Sequence, residues 1–166
     1  MIALIPGSFD PITLGHVDII ERTAEKFDKV IVAVMNNDSS KHDKTLSSKT
    51  YMFSMETRLA LVKLSTEHIE NVEVISSSGM LIDLFDEIGA DVIVKGIRNE
   101  ADLSYELIHA KWNKEHNERV ETLFLPASKS LGGVSSTLVR EMINGKNYAG
   151  LTTVLSENAI EYLKNK

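Results

Sequence analysis

Ile2-Ala3-Leu4-Ile5-Pro6-Gly7-Ser8-Phe9-Asp10-Pro11-Ile12-Thr13-Leu14-Gly15-His16 decides how this 166-residue chain reads. Ile2 to Ile5 is an unbroken apolar run, the pattern of a strand covered on both faces. Pro6 to Pro11 holds two prolines and a glycine, so the chain leaves the strand in a loop. From Gly15 to Phe27, the residues Val17, Ile20, Ala24 and Phe27 recur at helical spacing. Strand, loop and helix in this order aim the first helical amides at the loop, where they can cradle a phosphate. Gly7 permits a tight exit and close backbone approach to a ligand. Ser8 offers a hydroxyl, and His16 lies in the first helical turn. A lone Gly-His pair would read as a tight turn with a capping histidine; the full stretch, set between strand and helix, reads as a ligand site.

The same alternation continues outward. Val30 to Val34, Val72 to Ile75, Val92 to Val94 and Val120 to Leu125 read as further strands. Helices are expected from Ser54 to about Glu67, from Met80 to Ile88 before Gly89, and from Ala101 to His116. Two more follow, one capped by Ser135 or Ser136 and ending near Gly145, and one over 157–164 opened by Ser156. Residues 36–50 are polar apart from Leu46 and read as a long mobile loop. The implied architecture is one domain over 1–166, of α/β class. It is a Rossmann-like, doubly wound, mainly parallel five-stranded sheet with helices on both faces. Ligands in such sheets bind beyond the carboxyl ends of the strands, where the strand order reverses.

Composition narrows the function. Hydrophobic residues make up 43%, enough for a core without covalent staples. There is no cysteine, which excludes disulfides, thiolate zinc sites and cysteine nucleophiles. The formal net charge of −6 argues against nucleic acid as a partner. It does not exclude small anions held by a few gathered cations. The first apolar run is too short for a signal peptide, and no stretch approaches a membrane span. A cytoplasmic protein is expected. His109 and His116 are too widely spaced for a compact metal pair, and no metal-ligand set is expected.

Two further segments carry chemistry. Val94-Lys95-Gly96-Ile97-Arg98-Asn99 places two cations around a glycine at the carboxyl end of the fourth strand. By itself this is also the composition of a solvated basic turn. Val134-Ser135-Ser136-Thr137-Leu138-Val139-Arg140-Glu141 gathers hydroxyls at a helix N-terminus, where they serve as caps and as phosphate donors. Capping alone accounts for that segment when it is read in isolation.

Taken together the motifs resemble a known group. Thr13-x-Gly15-His16 after Gly-Ser-Phe-Asp-Pro is similar to the box of the cytidylyl/adenylyl transferase superfamily. Lys95-Gly96-Ile97-Arg98 with Asp102-Leu103-Ser104-Tyr105-Glu106 resembles the phosphopantetheine adenylyltransferase family, and so does the Ser135 to Glu141 segment. Phe53-Ser54-Met55-Glu56-Thr57-Arg58 and Ser78-Gly79-Met80-Leu81 fall at positions of the same family, so the match runs nearly end to end.

The resemblance implies transfer of the adenylyl group of ATP to 4′-phosphopantetheine, giving 3′-dephospho-CoA and pyrophosphate in coenzyme A synthesis. It implies that His16 stabilises the transition state. Ser8, Phe9, His16, Gly96, Ile97, Arg98, Glu106, Leu131, Ser135, Ser136 and Thr137 would contact ATP. Ser8, Leu81, Lys95 and Lys49 would face the acceptor, with Asn113 on the same side. Magnesium would ride on the ATP phosphates, and the assembly would be a homohexamer.

Lys95 stands where the family usually has arginine, keeping the charge without the bidentate fork. The 36–50 loop is longer than usual, so Lys41 competes with Lys49 for one position. The alternatives are a related small nucleotidyltransferase with another acceptor, such as nicotinamide mononucleotide, a non-catalytic nucleotide sensor, and a tRNA-binding fragment of a synthetase. Retention of His16 and of the Ser/Thr run speaks against a sensor, and the acidic balance speaks against tRNA.

Overall fold

The computed structural model describes residues 1–36 and 50–165. Five strands form one sheet: β1 (Ile2–Gly7), β2 (Lys29–Met35), β3 (Val72–Ser77), β4 (Val92–Ile97) and β5 (Thr122–Pro126). Their order is β3-β2-β1-β4-β5, and every pairing is parallel. The expectation of a mainly parallel sheet therefore becomes an entirely parallel one. The helices are α1 (Leu14–Ala24), α2 (Met55–Thr66), α3 (Leu81–Glu87), α4 (Glu100–His116), α5 (Ser136–Asn144) and α6 (Glu157–Lys164). A 3₁₀ helix over Tyr148–Thr153, which the sequence patterns did not announce, joins α5 to α6.

The apolar runs read as doubly covered strands are just that. Ala3 and Ile5 of β1 pack with Val30, Val32 and Val34 of β2 against Ile19, Ile20, Leu61, Val62 and Ala159 from α1, α2 and α6. Leu4, Ile31 and Ile93 point the other way, onto Leu84, Phe85 and Val120. Alternation along a strand splits neighbouring residues between two layers, and each layer needs its own helices.

The helix ends follow the expected chemistry. Ser54, Ser135 and Ser156 cap α2, α5 and α6 by accepting from the amides of Thr57, Leu138 and Ala159. Gly89, with φ of +63°, follows α3 in the left-handed conformation that glycine tolerates best.

The strand order reverses between β1 and β4, which pair through Ala3 with Val92 and Leu4 with Ile93. The loops leaving these two strands begin at Ser8 and Arg98. They open at the switch point, the crevice where parallel sheets hold ligands.

Candidate active site

His16 is the best-defined group at this crevice. Its Nδ1 accepts from the backbone N–H of Thr13 at 3.0 Å and lies 2.9 Å from the Thr13 hydroxyl. The third residue of a helix here reaches back to its N-cap, a place usually taken by Glu or Gln. Because Nδ1 accepts from an amide, the neutral ring carries its proton on Nε2. The Phe9 ring stands edge-on to the imidazole, centroids 5.2 Å apart. Burial, and after it the Arg98 charge, lower the His16 pKa to about 4. His16 is therefore a neutral donor at pH 7.

Phe9 itself is 3% exposed and has φ of +44°, unusual for a bulky residue. Gly7 makes this possible: a Cβ there would stand 2.8 Å from the Phe9 ring. At the start of α1, the Leu14 amide is taken by the Val154 carbonyl and the His16 amide by Thr13. Among the described residues, the Leu14 and His16 amides of this helix end are thus already engaged within the chain, and the expected cradle of several amides narrows accordingly.

The end of β4 divides its residues between the two faces. Val94 joins the layer of α1, and a Cβ on Gly96 would meet Ile19 Cγ1 at 2.9 Å. Gly96 thus lets α1 lie close on the strand. Lys95 points the opposite way and pairs with Glu106 of α4 at 3.2 Å. Arg98 is held in a fork by Asp102, with bonds of 2.7 and 3.0 Å, and its own amide reaches the same carboxylate at 3.2 Å. This bonding raises the Arg98 pKa and holds Asp102 below the usual carboxylate range. Both expected phosphate-binding cations are thus engaged by acids of α4.

The hydroxyl run at α5 is largely committed within the protein. Ser135 accepts from the Leu138 amide, and Ser136 donates to the Pro11 carbonyl at 2.7 Å. Thr137 accepts from Arg140 at 3.0 Å and stays exposed. These bonds bring α5 against the first loop, and the carbonyls of Leu131 and Val134 lie beside Gly15. Leu131 closes a turn by bonding from its amide to Ser128.

Three charged residues of the site were not singled out from the sequence. Asp10 is 2% exposed, and its two carboxylate oxygens accept from the Met52 and Phe53 amides at 2.9 Å each. Arg140 donates to the Asp10 carbonyl at 2.7 Å. Arg58 is 1% exposed and donates to Ser8 O at 2.6 Å and to Asn36 Oδ1 at 2.5 Å. Its guanidinium lies 4.3 Å over the Tyr51 ring. Asp10 lay within the quoted first motif and Arg58 within a family segment. Only their burial marks them as anchors.

Leu81 opens α3, and its side chain joins the layer that Lys95 faces. Two of the residues expected on the acceptor side, Leu81 and Lys95, thus share a face of the sheet. Ile97 ends β4, its carbonyl bonded to the Ala127 amide, and Asn113 is buried on α4. Glu106, expected at the nucleotide, sits with Lys95 on the α4 side. Lys49 and Lys41 fall outside the described residues.

Comparison with known proteins agrees with this geometry. The cytidylyltransferase-like family model matches residues 4–142. The phosphopantetheine adenylyltransferase of Staphylococcus haemolyticus is 40% identical over 164 residues, covering 99% of this chain and 95% of the relative. That of Staphylococcus carnosus is 41% identical over the same shares. Among solved structures, a Vibrio parahaemolyticus chain provisionally named a nicotinate-nucleotide adenylyltransferase superposes with a TM-score of 0.68 at 21% identity. The match covers 99% of this chain and 91% of that one, and it speaks for the fold alone. With the switch-point loop, the donor histidine and end-to-end identity in agreement, the chain belongs to the phosphopantetheine adenylyltransferase family of cytidylyltransferase-like proteins.

Proposed function

We propose that this protein transfers the adenylyl group of ATP to 4′-phosphopantetheine, releasing pyrophosphate and 3′-dephospho-CoA. A phosphate oxygen of the acceptor forms a bond to the α-phosphorus as the bond from that phosphorus to the β-phosphate oxygen breaks. The acceptor phosphate is already ionised near neutral pH, so the protein has no proton to remove. Its task is alignment and stabilisation of spread negative charge.

The observation that carries this reading is the pinned tautomer of His16. With Nδ1 held by the Thr13 amide, Nε2–H is the donor turned to the α-phosphate, and it keeps its proton through the reaction. Arg98 supplies positive charge on the same side. Lys95 and Leu81, on the other face, serve the acceptor.

Magnesium neutralises the triphosphate when bound. The buried carboxylate of the loop, Asp10, spends both oxygens on backbone amides. Among the described residues, no three His, Asp or Glu side chains gather around a metal position. In this reading magnesium would arrive on the ATP phosphates. Ser8, Phe9, Gly96, Ile97, Leu131 and Thr137 frame ATP in this reading.

No described helix is long and apolar enough to cross a membrane. A cytoplasmic location, where ATP is supplied, goes with this reading. The homohexamer that the resemblance implies is kept as part of this reading, and Tyr105, Leu107, Ile108 and Leu123, exposed on α4 and β5, offer an apolar face for contact between copies. Tyr105 and Leu107 are 52% and 40% exposed.

The test is pyrophosphate release with ATP and magnesium, comparing 4′-phosphopantetheine with nicotinamide mononucleotide. Release with the first acceptor alone is expected, and His16→Ala should lower kcat by about 10²- to 10³-fold. Release with nicotinamide mononucleotide alone would overturn the acceptor assignment.

A further inference from the structure

The first loop is held from beneath by a buried cation, Arg58, that bonds to its backbone. We propose that Arg58 is a positioning residue for adenylyl transfer, fixing the Ser8–Phe9 peptide that walls His16. The proposal rests on the reading of the reaction given above.

Arg58 rises from α2 into the space between the ends of β1 and β2. It binds the Ser8 carbonyl at 2.6 Å, the Met35 carbonyl at 3.4 Å and Asn36 Oδ1 at 2.5 Å. All three acceptors are neutral, and Nε finds no acceptor among the described residues. Burying a guanidinium this way is costly, and burial lowers its pKa, with Asp10 and Tyr51 opposing. An apolar side chain would fill the same volume at lower cost. What only the guanidinium supplies is a planar fork that spans the two strand ends.

The carbonyl it holds belongs to the peptide joining Ser8 to Phe9. That peptide enters the positive-φ turn of Phe9, which a bulky residue does not adopt unaided. The turn lays the Phe9 ring over Gly7 and edge-on to His16. Arg58 thereby acts on the imidazole through one peptide and one ring. The charge that bears on His16 comes from Arg98, paired with Asp102, and Arg58 does not alter it.

The experiment compares wild type, Arg58→Met and Asn36→Ala by steady-state kinetics and by NMR titration of His16. Arg58→Met should lower kcat by up to about 10²-fold and raise the KM values by less, through the loosened Ser8 and Phe9. The His16 midpoint should rise from about 4 toward 6.5 as water reaches the ring. Asn36→Ala keeps the buried arginine, removes one anchor, and should move both readouts the same way by less. A folded Arg58→Met with wild-type kcat and midpoint overturns the proposal. If that variant does not fold, wild-type values in Asn36→Ala overturn it instead. Should the wild type prove inactive with both substrates, the reading of the reaction fails, while the titration still decides whether Arg58 holds the His16 wall.

Discussion

Lys95 Nζ lies 3.2 Å from Glu106 Oε2, so a cation of strand β4 is held by an acid of helix α4 on the face of the sheet away from α1. Both side chains are about one-fifth exposed, at 22% and 20%, so water screens the pair only in part. The pair fixes the lysine ammonium on the α4 side of the sheet. In the proposed reaction, a phosphate of the acceptor would have to compete with Glu106 for the same ammonium.

Lys95→Ala should therefore act on the acceptor. Loss of a charged hydrogen bond predicts a rise in acceptor KM of about 10- to 100-fold, with a smaller change for ATP. Initial rates with each substrate varied in turn make the measurement. Equal effects on both would remove Lys95 from the acceptor side.

Stability should depend on pH through His16. In the unfolded chain the imidazole titrates at its ordinary 6.5; in the fold it resists protonation down to about 4. Between these values the unfolded state binds the extra proton, so stability falls as pH drops. Above 6.5 both states are neutral at this group and nothing is lost. The loss by pH 4 is ~3 kcal/mol. Urea unfolding at pH 7.5 and at pH 5 should show its onset in the wild type. His16→Gln, which still offers an acceptor to the Thr13 amide, should flatten that part of the profile.

Gly96 is constrained by packing. A Cβ would meet Ile19 Cγ1 at 2.9 Å, and both atoms sit between α1 and β4. Gly96→Ala should cost about 1–3 kcal/mol. Adding Ile19→Ala should recover part of the loss, since the clash is removed. Denaturation midpoints of the single and double variants decide this, and simple additivity would show that the strain lies elsewhere.

Assembly should depend on the outer face of α4. Ile108 is 68% exposed and Leu123 of β5 is 47% exposed. Ile108→Glu places a charge in this apolar face and should shift the sedimenting species toward the monomer, with circular dichroism unchanged. An unaltered mass would exclude this face from the assembly.

Much of the fold was legible in the residue pattern because burial on both faces leaves no room for polar residues. Val30 to Val34 could only be an inner strand, and Ser54, Ser135 and Ser156 could each supply the acceptor a helix start requires. The 3₁₀ helix Tyr148–Thr153 was not, because its apolar residues follow neither period and its buried Leu151 joins a small separate cluster with residues of α5 and α6. The place of the site was legible too, since a parallel sheet puts its crevice at the strand ends.

What the sequence by itself determined was therefore the class of sheet, its helices and the loop bearing His16. These follow from local periodicity and from single residues such as Gly7. Only the tertiary structure decided how the charges are used. Lys95 meets Glu106, Arg98 meets Asp102, and Arg58 reaches back fifty residues to the Ser8 carbonyl. Charged side chains look alike along a chain. Their partners and their burial depend on which elements the fold brings together, and those two quantities set both pKa and role.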